Sequence, residues 1–230
     1  YAAMIEIMDE GIGQVIKELK KKNMYENTVF LFMSDNGATD EGGFIGQLMS
    51  DLSNTPYRSY KKWVFQGGTS SPLILCYGNK SKNLQKGKVC SQPAHIIDIM
   101  PTCMALGNVS YPKTFSHADL PGTNLLPATT GQSVHKRTLY FEHQSSCAII
   151  EGNWKLVRAD RNSQWELIDL SKDPFETHNL SSTYPDKVEE LEAKWIEWAN
   201  THKVFPLEDK PWTKRINFYH EKNSYQKGDY

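Results

Sequence analysis

A strand signal in this sequence ends in three residues that could bind a divalent cation. The run from Thr28 to Ser34 is largely apolar, and Asp35, Asn36 and Gly37 follow it directly. Carboxylate and amide carbonyl oxygens are the donors that Ca²⁺ or Mg²⁺ prefers, and glycine lets the backbone turn tightly around them. Because ligands in open α/β sheets gather beyond the carboxyl ends of strands, Asp35 and Asn36 are candidate metal ligands. The same residues also suit an ordinary turn.

Several further motifs follow this strand in order. The first is NTPYRSYKKWVFQGGTSSPLILCYG, which begins at Asn54, and the second is HIIDIMPTCMALG, which begins at His95. LPGTNLLPATTG, LYFEH, EGNWKLV and WELIDLSKDPFETHNL then follow between Leu120 and Leu180. Together these motifs resemble the C-terminal half of a type I, formylglycine-dependent sulfatase. The resemblance is strongest to bacterial arylsulfatases that carry a Y-K-x-W-x-x-x-G-G segment.

The resemblance implies roles for three residues. Asp35 and Asn36 match metal ligands of the family, which implies Ca²⁺ or Mg²⁺ in the complete enzyme. Lys61 matches the family lysine that binds the sulfate group, and it lies eleven positions before Pro72 as in the family. Its ammonium is a compact charge suited to one sulfate oxygen. The neighbouring Lys62 is the weaker candidate and is expected to be a solvated surface residue.

Other parts of the family's active site are not found in this chain. The family's nucleophile is a formylglycine made within Cys/Ser-x-Pro-x-Arg, and none of the four cysteines is followed by that pattern. Gln66 and Ser70 also stand where the family often has Glu and Arg, so a helper charge is expected to be missing beside the Gly-Gly pair.

The resemblance therefore implies the C-terminal portion of an arylsulfatase-like sulfuric ester hydrolase. Its partners would be a sulfate ester substrate, either an aryl sulfate or a sulfated glycan, and the N-terminal half of the same protein. The chain alone is expected to be inactive, and the complete protein is expected to be periplasmic or secreted. Two other classes stay open: a different phosphohydrolase of the alkaline phosphatase superfamily, and a standalone, non-catalytic binding module. His95 and His143 lie beside element ends but are expected to be structural.

Composition argues against other partners. The 26 basic and 27 acidic residues give a net charge of -1, which offers no electrostatic case for nucleic acid. No stretch approaches the roughly 20 apolar residues that cross a bilayer. The four cysteines contain no Cys-x-x-Cys pair, which argues against a zinc or redox motif. They are expected to be free and mostly buried, with a Cys76–Cys90 bridge as the alternative in an exported protein.

The first part of the chain alternates between helices and strands. Apolar residues at helical spacing from Met4 to Leu19 predict an amphipathic helix laid on a sheet. Strands are predicted at 29–34 and 72–77, and a helix with Pro101 in its first turn and Gly107 at its end follows. This alternation predicts an α/β fold with a mostly parallel sheet flanked by helices. By resemblance, residues 1–136 would be the C-terminal part of an alkaline-phosphatase-like sulfatase core.

The last part of the chain has a different pattern. Four short apolar segments between Leu139 and Ile168 are separated by turn residues and predict a small antiparallel sheet. Apolar residues at helical spacing from Pro185 to His202 predict a helix packed on that sheet. This C-terminal subdomain is predicted to span 137–230.

In the first part of the chain, the Gly- and Ser-rich stretch from Gly37 to Tyr60 is expected to be a long functional loop.

Overall fold

The chain folds into two units. The computed structural model describes residues 2–41, 44–78, 87–110, 121–134 and 137–207. Unit 1 consists of Tyr1–Asp35 with Pro72–His135, and unit 2 consists of Asn36–Ser71 with Lys136–Tyr230. The predicted domains, 1–136 and 137–230, remain a prediction about the complete protein.

Helices and strands are distributed along the whole described chain. The helices are α1 (Ala2–Lys21), α2 (Phe44–Asn54), α3 (Gln66–Thr69), α4 (Ile99–Leu106), α5 (Leu126–Thr129) and α6 (Pro185–Thr201). The strands are β1 (Val29–Met33), β2 (Leu73–Tyr77), β3 (Thr138–His143), β4 (Ser146–Glu151), β5 (Trp154–Arg158) and β6 (Glu166–Asp169). No helix in the described ranges is long and apolar enough to span a membrane.

Unit 1 contains a two-stranded sheet. Strand β1 pairs with β2, with Val29 opposite Tyr77 and Met33 opposite Leu73. The α/β class is confirmed, but this pair is antiparallel, so the predicted parallel order is wrong for these two strands. Parallel neighbours need a crossover that packs on their own sheet, whereas the connecting residues 36–71 belong to unit 2. The residues of β1 are half-buried rather than fully buried.

Helix α1 is confirmed, but its apolar side is poorly covered. None of its residues is buried, and Met4 and Ile7 are 70% and 69% exposed. Partial burial begins only at Ile12, Ile16 and Leu19, which share one side of the helix. The predicted packing of the whole apolar side on a sheet is therefore not seen in the part of the chain that the structure describes.

The start of α4 is held by buried polar side chains of unit 1. The fully buried Asp98 carboxylate accepts hydrogen bonds from the backbone N–H groups of His95 (2.8 Å) and Thr123 (2.9 Å). The Thr102 hydroxyl accepts one from the N–H of Leu125 at 3.0 Å. His95 itself caps the 3-10 turn before α4 through its Nδ1 atom. The structure thus gives His95 a structural role.

Unit 2 has a core built on a four-stranded sheet. The strand order β3-β4-β5-β6 is antiparallel throughout, as predicted. Helix α6 buries Leu191, Trp195 and Ala199 completely, in one cluster with Ile149 of β4 and Leu156 of β5. The Trp195 indole donates to the carbonyl of Phe141 at 3.1 Å, so its polar atom is paired as well. The predicted packing of this helix on the sheet is confirmed.

Two expectations are wrong: that residues 37–60 form a long loop, and that most of the cysteines are buried. The stretch from Gly37 to Tyr60 contains the 11-residue helix α2, so it is not a long loop. Poor helix formers such as Gly46 and Ser50 weaken its pattern, and the buried Ser50 hydroxyl donates to the Gly46 carbonyl inside the helix. All four cysteines are free thiols, but Cys147 is the single buried one. Burial raises its pKa to about 11.

Candidate functional site

The two candidate metal ligands lie just beyond the end of β1. Asp35 is exposed, and its carboxylate has no hydrogen-bond or ion-pair partner among the described residues. Asn36 is half-buried, and its amide nitrogen donates to the Gly37 carbonyl at 2.8 Å. Both side chains offer hard oxygen donors, and their adjacency fits part of the shell of about six to eight oxygens that Ca²⁺ takes. The described residues contain no group of three or more His, Cys, Asp or Glu that could hold a metal ion.

Three glycines of unit 2, one of them directly after Asn36, allow very close backbone packing. A Cβ atom on Gly37 would lie 1.9 Å from the carbonyl oxygen of Gly67. A Cβ on Gly67 would lie 1.9 Å from the Ser59 oxygen, and one on Gly68 would lie 1.9 Å from the Trp63 oxygen. The Gly37 N–H also donates to the Gly68 carbonyl at 3.1 Å. Gly37 is therefore needed for this close approach, more than for the tight turn that the sequence suggested.

Lys61 lies on a segment, Arg58–Thr69, that we call the lysine segment. Its N–H donates to the carbonyl of Ala38 at 2.9 Å, which ties the segment to the residues just after Asn36. Asn54, the last residue of α2, strengthens this link from its side chain. Its amide oxygen accepts from the Ala38 N–H at 3.3 Å, while its amide nitrogen donates to the carbonyls of Ser59 (2.9 Å) and Gly67 (2.8 Å). No pattern in the sequence marks this role of Asn54.

The backbone on both sides of Lys61 is strained. Ser59 and Lys62 have φ angles of 61° and 86°, in the left-handed region that non-glycine residues rarely adopt. Such residues cost roughly 1–3 kcal/mol each and persist where the surrounding structure imposes them, often at functional sites. Lys62 is exposed, and its ammonium lies 5.0 Å from the centre of the Trp63 ring. The structure therefore fixes Lys61 between two residues held in unfavourable conformations.

The Lys61 ammonium is accessible and already pairs with an acid. Its side chain is 36% exposed, and its Nζ atom lies 3.1 Å from Oε1 of Glu41, whose side chain is 75% exposed. An exposed pair of this kind is weak, typically within about 1 kcal/mol. Another anionic oxygen could therefore replace the Glu41 carboxylate on Lys61.

Two contacts with charged side chains join the lysine segment to β6 and to the turn after it. Arg58 donates to both carboxylate oxygens of Glu166, at 2.7 and 3.0 Å, and its guanidinium lies 3.9 Å from the centre of the Phe65 ring. The hydrogen bonds to Glu166 raise the pKa of Arg58. Further along the segment, the Gln66 N–H donates to Oε2 of Glu176 at 2.7 Å. Sequence reasoning missed both contacts.

The second contact includes a buried lysine. Lys155 of β5 lies 2.7 Å from Oε1 of Glu176, and both side chains are fully buried. The Lys155 ammonium also donates to the Gln66 side-chain oxygen at 3.1 Å. Burial lowers the pKa of Lys155, and the Glu176 carboxylate opposes that shift. A buried lysine and a buried glutamate from elsewhere in the chain therefore contact Gln66, whereas the expectation that a helper charge is missing beside the Gly-Gly pair stays a prediction.

His143 also contacts the lysine segment. Its Nδ1 atom lies 3.1 Å from the carbonyl oxygen of Lys62, and the residue is exposed. Two residues after Lys62, the Val64 N–H donates to the Ser146 hydroxyl at 3.3 Å. These contacts attach the lysine segment to the β3–β4 hairpin, which is a structural role for His143.

Comparison with known families matches nearly the whole chain. The Sulfatase family model matches residues 1–109, and the model for the C-terminal region of N-sulphoglucosamine sulphohydrolase matches residues 57–199. The second match alone covers more than half of the chain. This chain belongs to the sulfatase family. Both matches include the lysine segment, and the first also includes Asp35 and Asn36.

Relatives and solved structures agree with this family. A sulfatase of Schizosaccharomyces pombe is 29% identical over 85% of this chain and 42% of its own length. The N-acetylgalactosamine-6-O-sulfatase of Bacteroides thetaiotaomicron is 28% identical over 80% of this chain and 39% of its own length. The solved structure of Ps i-CgsB covers 100% of this chain and 48% of its own, with 25% identity and a TM-score of 0.75. The fold is thus the alkaline-phosphatase-like sulfatase fold. This chain spans about two fifths of the length of these two relatives.

Proposed function

We propose that the complete protein hydrolyses sulfate esters and that this chain contributes Asp35, Asn36 and Lys61 to the active site. The observation that carries the proposal is the accessible Lys61 ammonium on a segment fixed by close glycine contacts and strained neighbours. That segment lies within the residues that both family models match. A fixed, accessible cation is what a sulfate-binding group requires.

The chemistry follows from the charge of the substrate. A sulfate ester carries negative charge on its non-bridging oxygens, and preorganised cations stabilise the charge that shifts during cleavage of the S–O bond. Lys61 would hold one of these oxygens and orient the group, as it does Glu41 in the structure. A bound Ca²⁺ or Mg²⁺ would supply Lewis-acid stabilisation of the sulfate oxygens, and Asp35 and Asn36 fit as two of its oxygen ligands. The formylglycine nucleophile implied by the resemblance is not among the residues of this chain.

For the substrate class, we favour a sulfated glycan over a small aryl sulfate. The Bacteroides thetaiotaomicron relative is named for a sulfated sugar, and Ps i-CgsB has been solved in complex with k-i-k-neocarrahexaose. A glycan substrate also suits a periplasmic or secreted enzyme. The test is the ratio of kcat/KM for sulfated oligosaccharides to that for nitrophenyl sulfate in the complete protein. A ratio below one for a panel of sulfated sugars would favour an aryl sulfate instead.

The role of Lys61 is tested by Lys61→Ala in the complete protein. Removal of one preorganised cation is expected to lower kcat by about a hundredfold, which corresponds to about 2.7 kcal/mol in the barrier. The melting temperature should stay almost unchanged, because substitutions at accessible positions usually alter stability by less than about 0.5 kcal/mol.

The matched control is Lys62→Ala, which removes the same kind of side chain at the next position. It is expected to leave both kcat and the melting temperature near their wild-type values, because alanine keeps the Cβ atom and with it the same left-handed backbone strain. If Lys62→Ala is the damaging substitution, the assignment of Lys61 is wrong by one residue. If neither change affects turnover, the sulfate is bound by other groups.

A further inference from the structure

The buried ion pair between Lys155 and Glu176 is unusual for a stabilising interaction. Both side chains are fully buried, with Nζ and Oε1 2.7 Å apart. Removing two charges from water is costly, and apolar residues of similar size often stabilise a fold equally well. Glu176 also has a φ angle of 59°, so its backbone is held in the left-handed region. Because the pair is costly, it is expected to fix the position of a neighbouring group.

The group that the pair fixes is Gln66. One Glu176 oxygen accepts from the Gln66 N–H, while Lys155 donates to the Gln66 side chain, so backbone and side chain are both held. Gln66 begins α3, which contains the closely packed Gly67 and Gly68. The position of this helix therefore depends on two charged side chains that come from β5 and from the turn after β6.

A second ionic contact holds the other end of the lysine segment. The two hydrogen bonds between Arg58 and Glu166 have a fork geometry that fixes direction as well as distance. Phe65, which is 2% exposed, packs against the same guanidinium and so connects the two contacts. Lys61 lies in sequence between Arg58 and Gln66, on the stretch that these contacts hold at both ends.

We propose that the Arg58–Glu166 and Lys155–Glu176 pairs are positioning groups for the Lys61 ammonium. This inference rests on the proposed function, because it assumes that Lys61 binds the sulfate. The Lys61 side chain is accessible and has one exposed ionic partner, so its direction depends on the backbone from which it extends. Catalytic groups must be held to within about 0.5 Å of their productive position, and a displacement of about 1 Å can reduce a rate greatly. The two pairs hold that backbone from the sheet of unit 2.

The test uses Arg58→Met in the complete protein, alone and combined with Lys61→Ala. Methionine keeps much of the side-chain volume over Phe65 but removes both hydrogen bonds to Glu166. If the pair acts through Lys61, Arg58→Met should lower kcat/KM for a sulfate ester by about tenfold in the wild-type background. In the Lys61→Ala background the same change should cost less than about twofold, because the group being positioned is already absent.

Lys194→Met is a matched control. Lys194 also forms an ion pair at the surface of unit 2, with Glu151, and the exposures of the two pairs are similar: 37% and 30% for Lys194 and Glu151, 37% and 25% for Arg58 and Glu166. Its partners lie on β4 and α6 and not on the lysine segment. Lys194→Met should leave kcat/KM unchanged in both backgrounds, although its effect on stability should resemble that of Arg58→Met.

Glu176→Gln provides a second variant, since it neutralises the partner of the buried lysine. It should show the same dependence on Lys61, together with a lower melting temperature; if it does not fold, Arg58→Met carries the test. An equal loss from Arg58→Met in both backgrounds, or no loss in either, would overturn the inference. If Lys61→Ala itself leaves turnover intact, the proposed role of Lys61 fails instead, so the two failures are distinguishable.

Discussion

Helices α6 and α1 have similar amphipathic patterns but very different surroundings. In unit 2, α6 completely buries three residues, among them Trp195. In unit 1, α1 is longer by three residues and buries none, and Met4 and Ile7 remain about 70% exposed. An apolar stripe therefore predicts that a helix forms, whereas its contribution to stability depends on what packs against it. Within this chain, unit 2 supplies that partner for α6 from its own sheet.

The largest difference in stability between the two helices is expected when an apolar side chain of each is truncated. Trp195→Ala should lower the free energy of unfolding of the chain by about 3–5 kcal/mol, because it leaves a cavity against the sheet and removes the hydrogen bond from the indole to the Phe141 carbonyl. Ile7→Ala in α1 should change it by less than about 0.5 kcal/mol. Denaturant unfolding measures both. Similar losses in the two variants would show that α1 is covered as well as α6.

Replacement of a glycine by alanine should change the free energy of unfolding in opposite directions in the two units. Gly67→Ala places a methyl group against the carbonyls of Ser59 and Arg58 and should destabilise by at least about 2 kcal/mol. Gly13→Ala in α1 meets no atom within 4 Å and should stabilise the helix by up to about 1 kcal/mol. Midpoints of denaturant unfolding for the two variants check the signs. Destabilisation by Gly13→Ala would mean that α1 packs closely against another surface.

The smallest effect is expected for the ion pairs on the surface of unit 2. Lys194 lies 2.8 Å from Glu151 and 2.6 Å from Glu190, and these hydrogen bonds lower the pKa of both acids, that of Glu190 to about 2. A lowered carboxyl pKa stabilises the fold above the unfolded pKa, and the stabilisation is lost as pH falls through the folded pKa. Because the side chains of Lys194, Glu151 and Glu190 are 37%, 30% and 46% exposed, solvent screens the pairs, and their contribution at neutral pH should be within about 1 kcal/mol.

Lys194→Met measures this contribution as a function of pH. The wild type should be slightly more stable than the variant at pH 7, and the difference should shrink as pH falls from about 4.5 towards about 2. A difference that stays constant across that window would show that the lysine stabilises by packing and not by charge. The free-energy change for Lys194→Met can then be compared with that for Trp195→Ala. The ratio shows how much more the core of unit 2 contributes to stability than its surface ion pairs.

The sequence predicted most helices and strands of both units, but it missed helix α2 in unit 2 and the direction of strand pairing in unit 1. The four antiparallel strands and α6 were foreseeable because short alternating segments and turn residues specify a local meander. Helix α2 was missed, since serine and glycine interrupt its pattern. The direction of β2 relative to β1 was also missed, because a strand pattern contains no information on which way its neighbour runs.

For the candidate site, the sequence supplied the residues and the structure supplied their supports. Asp35, Asn36 and Lys61 were named from their order in the motifs, and their roles remain proposals. The contacts of Arg58 with Glu166 and of Gln66 with Glu176 join residues 108 and 110 positions apart. No local pattern marks such pairs, so sequence reasoning did not foresee the charged side chains that contact Gln66.

The sequence by itself determined the family, the α/β class and most helices and strands, and it named the side chains that are proposed to bind a cation or a sulfate oxygen. These properties depend on residue type and short-range spacing, which a sequence states directly. The tertiary structure alone decided that β1 and β2 are antiparallel, that α6 is buried while α1 is not, and that the lysine segment is held by Arg58 and Gln66. Those outcomes depend on distant residues that fold together, because burial, close glycine contacts and buried charge pairs exist only once the chain has brought both partners to the same place.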